Sequence, residues 1–176
     1  MVVVIVILAI ALLTVTRMLS QTTLQGAYTY DETKAIELAE SLISEIRSKR
    51  YDENSPVGGV PPCDGESGDN PCTLGENLGP DGANERATPY NRVAFDDIDD
   101  FNGLDEGSGS DTGHSLLNAQ GDPRSGYENF RVQIEVSYSG ATMLGDSTST
   151  DSKKIRLSIT QPNEEVLDFT FHIANY

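Results

Sequence analysis

Five aspartates fall within ten residues, at Asp96, Asp97, Asp99, Asp100 and Asp105, beside Asn102 and Gly103. Hard carboxylate oxygens at this density suit calcium, whose charge would relieve their mutual repulsion. An EF-hand loop asks for ligands at positions 1, 3 and 5, with glycine at 6. Counted from Asp97, position 5 is Phe101 and Gly103 falls at position 7, so that register fails. The five aspartates are therefore a candidate calcium site of irregular spacing, set against a solvated acidic loop or a partner-facing surface. No other cofactor is implied.

The remaining chemistry-bearing residues are sparse. Cys63 and Cys72 are the only cysteines and lie in a stretch rich in Gly and Pro. One disulfide closing a small loop is expected, and with it an oxidising compartment. Two thiols with no nearby histidine make a poor zinc site. His114 and His172 stand 58 positions apart, His114 in a Gly/Ser loop and His172 on the polar face of a strand pattern. Gly107-Ser108-Gly109-Ser110 reads as a flexible linker rather than a phosphate cradle. No serine sits in a Gly-x-Ser-x-Gly frame. The sequence offers no catalytic constellation, and an enzyme is not expected.

The elements that must carry these residues are clearest at the two ends. Phe130, Val132, Ile134, Val136 and Tyr138 alternate with polar residues, as do Ile155, Leu157 and Ile159, and then Leu167, Phe169, Phe171 and Ile173. Gln161-Pro162-Asn163-Glu164 is the turn between the last two. Residues 127–176 are thus an antiparallel meander with one apolar face to cover. The cover is supplied by 27–50, where Ala35, Ile36, Leu38, Ala39, Leu42, Ile43 and Ile46 form a helical stripe. Glu37, Glu40, Ser44, Glu45 and Arg47 are expected on the opposite, polar side. Between helix and strands, residues 51–126 are loop-rich, with short elements expected near Arg92-Val93-Ala94-Phe95 and Ser115-Leu116-Leu117.

The formal charge of −16 sits mainly in that middle segment, where three basic residues face sixteen acidic ones. A surface of this sign repels phosphate backbones, which argues against nucleic acid as a partner. Residues 1–26 differ entirely. Met1-Val2-Val3-Val4-Ile5-Val6-Ile7-Leu8-Ala9-Ile10-Ala11-Leu12-Leu13 is apolar without interruption, and Thr14-Val15-Thr16 extends it to Arg17. No basic residue precedes the run, and its small-x-small triplet Ala9-Ile10-Ala11 lies inside the apolar core, so a cleaved signal peptide fits poorly. As a helix, residues 1–16 measure about 24 Å against a hydrocarbon core of about 30 Å. The helix is expected to run on, bent or locally unwound at Gly26, into the amphipathic stretch.

The apolar run from Met1 to Leu13 resembles the N-terminal segment of type IV pilins. In that family a short basic leader, a glycine cleavage site and a Phe-Thr-Leu-Ile-Glu stretch come first. Met1 falls just after the position of that glutamate, so the chain is expected to start at an internal methionine. A narrower resemblance is to the D-type minor pilins of MSHA (mannose-sensitive haemagglutinin) pili. It rests on Glu37-Leu38-Ala39-Glu40-Ser41-Leu42-Ile43-Ser44-Glu45-Ile46, on Lys49-Arg50-Tyr51-Asp52-Glu53-Asn54-Ser55, and on the Cys63/Cys72 loop. Leu78-Gly79-Pro80 and Phe95-Asp96-Asp97-Ile98-Asp99-Asp100-Phe101-Asn102-Gly103 complete it.

The resemblance implies a pilin-like α+β fold and a minor subunit of a surface pilus. Its partners would be other pilin subunits and the pilus assembly machinery. The chain would wait in the bacterial inner membrane on a single N-terminal span, head in the periplasm, before joining an extracellular fibre. A type II secretion pseudopilin is the nearest alternative. A monomeric membrane-tethered domain that binds calcium or carbohydrate is the alternative from another class, since a plain tether has the same composition.

Overall fold

A computed structural model describes residues 2–56, 61–63, 70–86, 91–139 and 150–175, and of the helical stretch 19–27 its backbone only. The first element is a single helix, α1 (Val2–Arg47), 46 residues long, or about 69 Å along its axis. Gly26, the expected bend, lies in the stretch whose side chains are outside the described residues. Beyond Arg47 the last turn tightens: the backbone N–H groups of Ser48 and Lys49 donate to the carbonyls of Glu45 and Ile46, both at 3.1 Å. Arg50 then forms a parallel bridge with Asp97. This bridge fixes the end of α1 against the acidic segment.

Four strands follow: β1 (Asp105–Gly107), β2 (Arg131–Tyr138), β3 (Ser152–Thr160) and β4 (Val166–Ala174). They form one antiparallel sheet in the order β1-β2-β3-β4. Its register stacks the apolar residues in rungs: Val132 beside Ile159 and Leu167, Ile134 beside Leu157 and Phe169, Val136 beside Ile155 and Phe171. Onto these rungs α1 lays Ala35, Leu38, Ala39, Leu42 and Ile46, all essentially solvent-free. Phe95, Ile98, Phe101 and Leu104 close the core from the acidic segment. The architecture is α+β, as the periodicities indicate.

Three details depart from the sequence reading. Ile36, placed in the apolar stripe, is 41% exposed. Glu45, placed on the polar face, has a side chain only 7% exposed, because a cation from the middle segment meets it there. The sheet also gains β1 from within 51–126, where three residues are too few to show an alternation. β1 ends at Gly107, where φ is +104° and an added Cβ would stand 2.0 Å from the Phe130 carbonyl oxygen. Only glycine fits that position.

The expected turns and short elements are otherwise where the sequence puts them. Gln161 and Glu165 close the β3–β4 turn through a 2.8 Å backbone hydrogen bond, with Glu164 at φ +67°. Arg92–Ala94 is a 3₁₀ turn, and Leu117 bridges Pro123.

Candidate functional site: the bare half of the helix and the acidic segment

The two halves of α1 meet different surroundings. From Ala35 onward one face is buried by the sheet. From Val2 to Met18 there is no such cover: twelve large apolar side chains are each more than half exposed, from Val6 at 51% to Val2 at 75%. The two threonine hydroxyls in this stretch bond back to the helix's own carbonyls. Thr14 Oγ1 donates to the Ala11 carbonyl at 2.8 Å, and Thr16 Oγ1 donates to that of Leu12. Such back-bonding supplies each hydroxyl with an acceptor on its own helix, and the large side chains on the surface from Val2 to Val15 are apolar. Contiguous apolar surfaces of this extent are rare on monomeric soluble proteins. Among the described residues, no helix is long and apolar enough to cross a membrane.

The acidic segment is not a solvated loop. Asp97, Asp99, Asp100 and Asp105 are all buried, and only Asp96 of the five is exposed. Each has its own counterpart. Asp96 Oδ2 lies 2.5 Å from Arg50, which also holds Glu53 at 2.8 Å. Asp100 Oδ2 accepts from the backbone N–H of Asp96 and Asp97, and Asp97 Oδ1 accepts from that of Asp100. Asp99 reaches Lys153 of β3 at 2.7 Å. Asp105 takes a two-pronged contact from Arg131 of β2, at 2.7 and 2.8 Å.

The segment's titration follows from these partners. Burial, then the neighbouring charges of Asp99 and Asp100, pushes Asp97 up to about 9. Burial also lifts Asp100 to about 7, against the pull of its two backbone donors. Asp105 moves the other way, because the Arg131 guanidinium holds its carboxyl below the ordinary range.

The five aspartates named as calcium ligands therefore do not share one centre. Asp96 and Asp97 come together with Glu53, and Asp100 with Asp81 and Glu85, each trio holding its oxygens within 4.8 Å. In the first trio Arg50 already supplies positive charge. In the second, Glu85 Oε2 accepts from the backbone of Asp81 and Gly82, and Asp100 is held as described. Asp99 and Asp105 are engaged by cations of the sheet. Cys63 and Cys72 form a disulfide and are both buried, and Asn175 donates to the Cys63 carbonyl at 2.9 Å. Residues 64–69 of the loop lie outside the described residues. His172 is exposed on the outer face of β4, with Nδ1 3.0 Å from Ser139 Oγ. His114 lines a surface cleft of about 240 Å³ with Leu116, Arg124 and Tyr127.

Two buried cations lie outside the sites that the sequence suggests. Arg92 has no exposed side-chain surface and bridges Glu45 of α1 at 3.1 Å to Glu106 of β1 at 3.0 Å. Lys153, equally buried, contacts Asp52 at 3.2 Å and Asp99 at 2.7 Å. Lys153 was findable: it continues the inward alternation of Ile155, Leu157 and Ile159 by one step. A lysine at a core position needs buried acceptors, and the acidic segment holds the surplus. Arg92 gives no such periodic signal. No protein-family model, curated protein or solved structure matches the chain.

Proposed function

We propose that this chain is a structural subunit that assembles through the bare half of its helix, and specifically a minor subunit of a type IV pilus of the MSHA kind. The observation that carries this reading is the divided fate of α1. One half is docked on its own sheet, and the other exposes twelve large apolar side chains. A free-standing soluble domain does not keep such a surface. Lipid and the matching helices of other subunits are the two surroundings that suit it.

In this reading Val2–Leu13 rests in the inner membrane with the head in the periplasm. The Cys63–Cys72 disulfide supports an oxidising compartment. Assembly machinery then exchanges lipid contacts for helix–helix contacts in a fibre core, leaving the sheet and acidic segment on the fibre surface. The head's role is structural rather than catalytic, and its net negative charge disfavours nucleic acid.

The test is disulfide trapping in cells that make pili. Cysteine placed at Val6 or Ile10 should yield covalent adducts with other pilins, because those side chains lie in the fibre core. The same cysteine at exposed Thr170 of β4 should yield none. Recovery of monomer alone from Val6→Cys and Ile10→Cys would count against assembly and favour a solitary tethered domain.

A further inference from the structure

Lys153 points inward from β3 between the rings of Tyr51 and Tyr138, whose centroids lie 4.5 and 5.6 Å from Nζ. Nζ donates to the Tyr51 carbonyl at 2.6 Å, to Asp52 Oδ2 at 3.2 Å and to Asp99 Oδ1 at 2.7 Å. The two carboxylates differ in their other contacts. Asp52 is held by the backbone N–H groups of Asn54 and Thr73 and by the hydroxyls of Thr73 and Tyr138. Asp99 accepts from Lys153 and is near enough to the Asp97 carboxyl to share a hydrogen bond with it. Asp97 is pushed up to about 9, chiefly by burial, so at neutral pH it carries a proton that it can donate to Asp99.

We propose that this cluster forms a covalent cross-link of its own making, an amide between Lys153 Nζ and the side-chain carboxyl of Asp99. The bond would tie β3 to the 3₁₀ turn Asp99–Phe101. The group supplies each requirement of the reaction. The reaction begins when one ammonium proton passes to the carboxylate in contact with it, which frees the nitrogen lone pair. The nitrogen lone pair attacks Asp99 Cγ, helped by the proton that Asp97 directs at the carboxyl oxygen. The N–C bond forms, and the second nitrogen proton passes through Asp52 or Asp97 to the departing oxygen. The C–O bond then breaks and that oxygen leaves as water. One ammonium and one carboxylate become one amide and one water, and Asp52 and Asp97 end in their starting protonation states. No oxidant or co-reactant enters. Holding nitrogen and carboxyl in contact replaces the activation that an amide bond otherwise needs. Asp52 keeps its donors from Asn54, Thr73 and Tyr138 after the ammonium is gone.

The experiment is the intact mass of the full-length chain, purified in detergent, then reduced and denatured before electrospray. The wild-type chain should be lighter than its sequence mass by one water. Lys153→Arg and Asp99→Ala should lie at their sequence masses. Asp99→Asn should lose ammonia instead and converge on the wild-type mass. Asp97→Ala should show a smaller linked fraction. Fragmentation of a digest should locate a branched peptide joining positions 99 and 153 that survives hydroxylamine. That treatment opens the cyclic imides that Asp64-Gly65 and Asp81-Gly82 can form with the same mass loss. A folded wild-type chain at full sequence mass overturns the proposal, as does a water loss located at either Asp-Gly step. Neither result bears on assembly through α1.

Discussion

Arg92→Met removes the cation that joins the docked half of α1 to the sheet. The guanidinium has no exposed surface and faces Glu45 and Glu106, whose side chains are 7% and 0% exposed. Methionine matches its stem in volume but leaves two buried carboxylates facing each other. Removing one partner of a buried ion pair costs about 3–5 kcal/mol, because the charge left behind is neither hydrated nor paired. Some relief remains: Glu106 keeps the Leu117 N–H at 3.1 Å, and Glu45 keeps Arg124 at 3.8 Å. A loss of about 3–4 kcal/mol is therefore expected, a large part of the 5–15 kcal/mol typical of a whole domain. With a urea dependence of about 2 kcal/mol per molar, the unfolding midpoint falls by about 1.5–2 M. The control is the triple replacement Glu45→Met, Arg92→Met, Glu106→Met, which removes the stranded charges and should recover most of the loss. Urea unfolding followed by circular dichroism reads both variants. A loss below about 1 kcal/mol for Arg92→Met would refute the account of this network. So would a triple variant no more stable than the single one.

Three further outcomes follow from the same geometry. Asp97 and Asp100 bind protons more tightly folded than unfolded, so they stabilise the fold most near pH 4 and lose that contribution as pH rises through about 7 and about 9. Stability should fall between pH 5 and 9 by up to about 1.4 kcal/mol per pH unit for each group still protonated, and Asp97→Asn should flatten the upper part of that slope. Asp105 acts in the opposite sense, its contribution being lost as pH drops below its ordinary carboxyl range; a stability profile rising steadily from pH 5 to 9 would contradict this assignment. Reducing the Cys63–Cys72 bond, which spans a separation of nine residues, should cost about 2–3 kcal/mol by the loop-entropy argument, read as a lower thermal midpoint in dithiothreitol. Gly107→Ala forces a Cβ into the Phe130 carbonyl oxygen at a positive φ, and should destabilise by more than the ~1 kcal/mol of an ordinary glycine replacement, whereas Gly109→Ala, with open space around it, should cost only the φ penalty.

Local periodicity settled much of this protein in advance. The stripe from Ala35 to Ile46 and the alternations around Val132, Leu157 and Phe169 announced a helix covering a sheet, because burial of one face acts on every third or second residue and leaves its mark in order along the chain. The apolar run from Val2 to Leu13 and the closely spaced pair Cys63 and Cys72 were legible for the same reason: each is a local signal. Tertiary structure alone decided which charges meet. Glu45 lies on the polar side of its own helix and Asp99 in a run of aspartates, so both read as solvated. Each is instead buried by a cation from a remote part of the sequence, Arg92 at 47 positions away and Lys153 at 54. Pairing at that separation leaves no period to detect. A single carboxylate also reads the same whether water or a buried cation neutralises it, and only the packed fold brings the partner within hydrogen-bonding distance.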